Sequence, residues 1–401
     1  MHLNELAEGG GEWLRGTGPE SDIVISSRIR IARNLSDFPF IRKASDADKK
    51  QIESAVEQAV KSVTQWKNRV SYVNVNDLAD LDRQFLIERQ LISRELAECN
   101  GVRSVAIDHD EKFSVMVNEE DHIRIQVMQS GLDLFEAWKQ IDWIDDCIEE
   151  HVQYAFHKSL GYLTACPTNV GTGLRVSVML HLPALVMTRE VDKVFRSLHK
   201  INLAVRGLYG EGSEAMGDFY QISNQITLGK SELDLVQQVN DVIPVMIEYE
   251  QKARDFLARE SQQELKDRVS RAYGILSTAQ TISSEETMHL LSSVRMGVNM
   301  GLIDLDIPTL NTLPFPVKGV NWNTALADTS YFDNVAKQVL ERFETSNKSS
   351  FDAKKLIDDL DQINFVRDVL TIRMSVAPGA NNEEKFTWAT RDGAHTSKFK
   401  I

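Results

Sequence analysis

The sequence predicts an α+β fold: a mainly antiparallel sheet flanked by helices, followed by a helical C-terminal domain. Three observations carry this. Short apolar runs at 102–107, 113–117 and 123–127 are joined by brief polar turns, a hairpin series that pairs antiparallel rather than through crossover helices. Stretches of helical periodicity, the clearest at 45–66, supply cover for the faces of such a sheet. The strand pattern stops near 252–262, and two further helical stretches follow it.

Taken in order, residues 1–20 read as a short helix and a Gly-rich lead-in. Ile23–Arg33 is an apolar strand whose period of two puts Arg28 and Arg30 on one face and Ile29 and Ile31 on the other. From Ser45, a natural N-cap, to Trp66 the chain is an amphipathic helix with Ile52, Ala55, Val56, Ala59 and Val63 on one side. Asp77–Ser93 reads as a second helix, ahead of the three strands already named. Leu132–Ser159 reads as one long helix, and strands are expected at Tyr162–Ala165, Leu174–Leu180, Leu203–Leu208 and Phe219–Ile226. Ser231–Arg259 is a long helix with Pro244 as a kink. Helices at 262–276 and 284–300 come next; then Pro308, Pro314 and Pro316 punctuate a loop, and the tail from Pro378 is polar. The expected units are a lead-in at 1–20, a domain at 21–255, a helical C-terminal domain at 256–304, and an unassigned region at 305–401.

The 401 residues carry a formal net charge of -14, which argues against direct nucleic-acid binding. Three cysteines (Cys99, Cys147, Cys166) make no disulfide framework, and no Cys/His spacing suggests zinc. No apolar run is long enough to cross a membrane, and the acidic N-terminus lacks a signal-peptide core, so a cytoplasmic location is expected.

Within this acidic chain, arginines recur beside strands and glycine turns. Cys166-Pro-Thr-Asn-Val-Gly-Thr-Gly-Leu-Arg175 sets a thiol, a turn that admits close backbone approach, and a guanidinium within ten positions. Arg124 follows the acidic turn Glu119-Glu120-Asp121, and Arg206 ends a short strand ahead of Gly207 and the glycine-flanked Glu211. A local positive site in a negative protein suits a small polyanion. Plain alternatives exist: Glu119–Asp121 as a solvated hairpin turn, Glu211 as a turn residue, and His122 and Asp108-His109-Asp110 as surface turns rather than metal ligands.

Four motifs together resemble the phosphagen (guanidino) kinase family: Ser26-Ser-Arg-Ile-Arg30, Asn118-Glu-Glu-Asp-His-Ile-Arg124, Cys166-Pro-Thr-Asn-Val-Gly-Thr172 and Arg206-Gly-Leu-Tyr-Gly-Glu211. The likeness covers about 20–255, and within the family the chain looks most like the bacterial protein-arginine kinases. It implies that ATP lies against Ser26, Ser27, Arg28, Ile29 and Arg30, against Arg124, along Arg175, Val176, Ser177, Val178 and Met179, and along Arg206, Gly207, Leu208, Tyr209 and Gly210. Gln90 stands where the family has a histidine near the nucleotide. The resemblance makes Glu120 and Glu211 the acid/base pair, places Cys166 beside the guanidinium as a thiolate, and has Mg²⁺ bridge the phosphates with no metal held by the protein alone. Because Ser26-Ser-Arg28 comes so early, the helical domain that encloses free guanidino substrates is expected to be absent, leaving a site for arginine side chains in proteins. Also implied are a stress-response and protein quality-control setting, a small zinc-binding activator, a Clp-type protease, and room for a homodimer. Arg367-Asp-Val-Leu-Thr371-Ile matches only the first half of the Arg-Asp-x-x-Arg-Ala phosphoarginine pocket of the protein-arginine kinases.

Phosphoryl transfer to a guanidinium asks for positioning and charge stabilisation, which five arginines supply in place of a P-loop lysine. The guanidinium itself is a poor nucleophile until a proton leaves, the task of a carboxylate. Two other readings stand beside this one: a free-guanidino (arginine) kinase with an open site, and a phosphoarginine-binding adaptor with weak catalysis.

Overall fold

In the computed structural model of this chain, residues 11–98, 101–207, 217–278, 284–305, 307 and 310 are described, with backbone alone for 375–378, 383–390 and 393–400. A 3-10 turn at Glu12–Leu14 precedes β1 (Val24–Arg33). α1 (Asp46–Ser62) opens with a capping box: the Ser45 hydroxyl accepts from the Asp48 N–H and the Asp48 carboxylate accepts from the Ser45 N–H. Its buried stripe is Ile52, Val56, Ala59 and Val60. Then come β2 (Val70–Asn74), α2 (Asp80–Glu88), α3 (Arg94–Glu98), β3 (Ser104–Asp108), β4 (Phe113–Val117) and β5 (Ile123–Ser130). α4 (Leu134–Glu149), a short hairpin of β6 (Phe156–His157) and β7 (Gly161–Tyr162), and β8 (Leu174–His181) follow. α5 (Pro183–Met187) and α6 (Val191–Lys200) lead to β9 (Leu203–Arg206) and β10 (Phe219–Asn224). α7 (Glu232–Glu260), capped by Ser231 through a second capping box, spans Pro244 as one element. α8 (Gln262–Thr278) and α9 (Ser284–Asn299) follow, and β11 (Ser375–Pro378), β12 (Glu383–Thr390) and β13 (Gly393–Lys400) pair antiparallel.

Eight strands form one sheet in the order β2-β3-β4-β5-β1-β8-β10-β9, with every pairing antiparallel. β1 is central, between β5 and β8. Because side chains alternate along each strand, Ile29, Ile31, Ile125, Val127, Val176 and Val178 all fall on one face and join the main core with α1, α4 and α7. The opposite face is where Arg28 and Arg30 stand. A smaller core closes that face at one end, where Trp13, Ile25, Met128, Met179 and Phe219 meet Met288 of α9. The Ser292 hydroxyl of α9 donates to Asp218 at 2.6 Å and contacts His181 Nε2 at 2.9 Å, so the C-terminal helices are tied to the sheet.

Three expectations need correction. The helix from Leu132 stops at Glu149. Beyond it the chain extends and pairs with the segment after β1 (Ser36 N–H to the Gln153 carbonyl at 2.9 Å, Ala155 N–H to the Asn34 carbonyl at 2.7 Å), burying Tyr154. The strand expected at Tyr162–Ala165 is only the two residues of β7. The helix expected over Asp77–Ser93 is the shorter α2, and β2, α3, α5 and α6 have no counterpart among the expected elements.

Arg33 falls on the core face of β1, as its spacing predicts, yet it is no peripheral residue. It is 1% exposed and pairs with Asp145 at 2.7 Å and Glu232 at 3.3 Å. It also donates to the Thr172 carbonyl at 2.7 Å, and its guanidinium lies 3.6 Å from the Tyr162 ring centroid. One side chain thus joins β1, α4, α7 and the loop ahead of β8. Removing one partner of such a buried pair leaves the other charge uncompensated, so Arg33→Ala is expected to lose about 3–5 kcal/mol of stability. Equilibrium denaturation checks this; an unchanged midpoint contradicts it.

Candidate active site

The arginine face gathers its charges through strand register. Arg30 on β1 lies directly opposite Arg175 on β8 and Gln126 on β5. Arg28 lies opposite Ser177, and Arg124 lies opposite Ala32, next to the same row. Arg206 on β9 stands opposite Gln221 of β10. These five arginines line one open cleft of about 600 Å³, which also takes in Gln90, Glu120 and Cys166.

Such a concentration of like charge is costly without an anion. The Arg28 guanidinium is lowered to about 10, by burial first and then by Arg124 and Arg175. Arg30 is pushed well down by burial and then by Arg28, Arg124 and Arg175, with Glu119 opposing. The Nε atoms of both Arg28 and Arg30 are buried without a hydrogen-bond partner. Buried donors left unsatisfied in a site of surplus positive charge fit a polyphosphate that brings both acceptor oxygens and negative charge.

The turn 118–122 brings Glu119 and Glu120 to the cleft, beside Glu95 of α3, and it is not a solvated hairpin. Glu119 and Asp121 are buried. Glu119 accepts from Arg124 at 2.6 Å and from the Ser93 hydroxyl. Asp121 accepts from the Asn34 amide and the Ala165 N–H, both at 2.6 Å. Asp121 thereby staples this turn to the end of β1 and to the irregular segment leading into Cys166, which is how Glu120 and Cys166 come to share a cleft. His122, which sequence reading places in a surface turn, is fully buried. Its Nδ1 accepts from the Leu35 N–H at 2.9 Å, so Nε2 carries the proton and donates to the Pro39 carbonyl at 3.0 Å. Burial lowers its basicity and keeps the ring neutral. In the neighbouring trio His109 and Asp110 are exposed, but Asp108 is buried and accepts from the Asp110 and Lys112 N–H groups.

Glu120 is half-buried, and burial raises its carboxyl above the ordinary range, against the pull of Arg124 3.5 Å away. A carboxylate raised in this way is a stronger base, suited to taking a proton from a guanidinium. Cys166 caps the 3-10 turn Pro167–Asn169, with its sulfur 3.0 Å from the Thr168 hydroxyl. The turn that follows needs its glycine: Gly173 has φ 66, and a Cβ there would lie 2.6 Å from the Ala32 carbonyl oxygen. Close approach of this loop to β1 helps bring Cys166 to the wall of the same cleft.

Not every residue of the nucleotide runs faces the cleft. Ile29, Val176 and Val178 belong to the core, and Ser27 is taken up with the Gly131 carbonyl and the Asp133 N–H. Ser26 and Gly207 are buried, Met179 joins the smaller core, and Ser177 bonds to the Arg28 carbonyl and Gln221. Leu208, Tyr209, Gly210 and Glu211, like Arg367 and Thr371, lie outside the described residues. The cleft adds groups that sequence reading did not select. Arg42, Arg94 and Arg103 extend its positive character, and Ile87, Ile92 and Met116 form an apolar wall beside Gln90 suited to a flat ring. Only Gln126, two residues along β5 from Arg124, had a local signal.

Known proteins resemble this chain over most of its length. Residues 51–253 match the family model of the ATP:guanido phosphotransferase C-terminal catalytic domain, and 262–317 match the protein-arginine kinase McsB C-terminal domain. The protein-arginine kinase of Symbiobacterium thermophilum is 49% identical over 317 residues, 78% of this chain and 90% of that one. That of Bacillus subtilis is 47% identical over 296 residues, 73% of this chain and 80% of that one. Among solved structures, the duplicated taurocyamine kinase from Schistosoma mansoni with bound transition state analog components superposes with a TM-score of 0.54 at 29% identity, covering 59% of this chain and 34% of that one. Lombricine kinase, at TM-score 0.53 and 24% identity over 62% of this chain and 75% of that one, shares the fold. With both family models and near-half identity over most of its length, the chain belongs to the ATP:guanido phosphotransferases, in their protein-arginine kinase branch.

Proposed function

We propose that this chain transfers the γ-phosphoryl group of ATP to arginine side chains in proteins. The observation that carries the reading is the single cleft in which five strand-borne arginines face a half-buried carboxylate and a thiol. The arginines clamp the triphosphate and stabilise charge on the transferring group. Glu120, with Glu211 as its expected partner, orients the acceptor guanidinium bidentately and takes its proton. Cys166, which lines the same cleft, helps position the guanidinium and is not itself phosphorylated. Among the described residues no group of three or more His, Cys, Asp or Glu gathers as a metal cage. By resemblance Mg²⁺ would accompany the nucleotide and supply further neutralisation of its charge.

The acceptor distinguishes this reading from a free-guanidino kinase, and the relatives near half identity support a protein acceptor. Incubation with ATP, Mg²⁺ and either an unfolded protein or free arginine, followed by mass spectrometry, is expected to find acid-labile phosphate on protein arginines and little on the amino acid. Comparable turnover of free arginine defeats the protein-substrate reading. No phosphate on either would favour a binding adaptor.

No helix among the described residues is long and apolar enough to cross a membrane. A cytoplasmic stress-response setting, a homodimer, and partnership with a small zinc-binding activator and a Clp-type protease extend the proposal by resemblance. Affinity capture of the full chain from stressed cells tests those partners.

A further inference from the structure

We infer that the buried Arg89–Glu111 ion pair is a positioning device for nucleotide binding: it holds the turn that sets Gln90 over the arginine face, where Gln90 fixes Arg28. The inference rests on the reading above that the cleft takes ATP.

Arg89 is fully buried at the end of α2, and Glu111, in the turn between β3 and β4, is 2% exposed. They meet as a bidentate pair, Nε to Oε2 at 2.9 Å and Nη2 to Oε1 at 2.6 Å. Planar fork-to-fork pairing of this kind fixes orientation as well as distance. Gly11 packs directly against the pair: a Cβ there would lie 2.5 Å from Glu111 Oε2.

The next residue, Gln90, has φ 58, in the left-handed region that a residue with a Cβ adopts only when its surroundings hold it there. Glu111 itself has φ 57. The ion pair therefore ties Glu111 to Arg89, whose own backbone is helical (φ -74), immediately ahead of the left-handed Gln90. Gln90 is anchored at both ends. Its carbonyl accepts from the Gln126 amide on β5, and its side-chain oxygen accepts from Arg28 Nη1 at 2.7 Å. Gln126 lies opposite Arg30, so the turn grips the arginine row at two neighbouring strands. Arg28 Nε has no partner, which leaves the Gln90 oxygen as a directional contact holding this guanidinium among its repelling neighbours. An arginine held in one orientation loses less freedom when phosphate arrives.

The test measures ATP·Mg²⁺ affinity of the full chain by calorimetry, with KM for ATP, KM for the protein acceptor, kcat and the thermal midpoint measured alongside. Arg89→Lys keeps the charge but loses the fork, and Glu111→Gln keeps the shape but loses the charge. Each is expected to weaken ATP roughly tenfold, the size of one charge-assisted contact partly lost, with the acceptor KM and the kcat at saturating ATP little changed. Gln90→Gly guards against misfolding, since glycine accepts the left-handed backbone without strain. It is expected to keep the thermal midpoint while weakening ATP to a similar degree. Unchanged ATP affinity in Gln90→Gly, or a lowered midpoint with unchanged ATP affinity in Arg89→Lys, makes the pair purely structural and overturns the inference. A parent chain that fails to bind ATP overturns the underlying reading as well.

Discussion

Glu120→Gln is expected to lower the rate of arginine phosphorylation by about 10²–10⁴-fold, the usual contribution of a positioned base, while ATP binding stays near the parent value. The change keeps size and hydrogen-bonding capacity but removes the charge that holds and deprotonates the guanidinium. The pH profile supplies a second readout. Burial is the largest influence on Glu120 and raises its carboxyl, with Arg124 opposing. A base works when deprotonated, so activity should rise with pH through this raised value. The acid limb should lie above the ordinary glutamate value of about 4.3, and Glu120→Gln should abolish it. Glu211→Gln is expected to act alike from its place in the Arg206–Glu211 motif. Loss of ATP binding in Glu120→Gln would instead mean that the carboxylate serves to neutralise Arg124, and the assignment as base would fall.

How far this site was legible in the sequence depends on the range of the interactions. Arg28, Arg30, Arg124 and Arg175 were visible because strand alternation is local: an arginine two residues from another, between isoleucines, must share its face. The capping boxes at Ser45 and Ser231 span three residues, and both helices begin where they should. Arg33 shows where such reading stops. Its face follows from spacing, but its partners Asp145 and Glu232 lie 112 and 199 residues away. Nothing near it in sequence distinguishes a buried ion pair from a solvated charge. His122 fails for the same reason, since its partners are backbone groups at Leu35 and Pro39. β2 is an edge strand of mixed polarity, half-buried along its length, so its alternation is weak. α5 starts on Pro183 and runs five residues, too short for helical periodicity to register. The cleft's further arginines, Arg42, Arg94 and Arg103, come from loops and helix ends and are brought in only by the tertiary fold.

Arg30→Met is expected to stabilise the nucleotide-free protein while largely abolishing ATP binding. Arg30 is partly buried opposite Arg175, flanked by Arg28 and Arg124, and its Nε is buried without a partner. The sign follows from linkage. A guanidinium resists deprotonation, so Arg30 is charged at neutral pH both folded and unfolded. For a base whose folded value is depressed, the cost of folding is present at every pH where both states are protonated. Methionine fills a similar volume without the charge, so the substitution removes the repulsion from Arg28, Arg124 and Arg175 and is expected to be neutral or stabilising. The thermal midpoint should therefore hold or rise. ATP affinity should fall about tenfold to a hundredfold, since a charge-assisted phosphate contact is worth roughly 1.5–3 kcal/mol. The comparison with Arg33→Ala is what gives the experiment its force. The two residues sit three positions apart on β1, on opposite faces. One should trade binding for stability, and the other should lose stability outright. If Arg30→Met unfolds the protein, or keeps full ATP affinity, the arginine row is part of the scaffold, and the phosphate clamp must be sought elsewhere in the cleft.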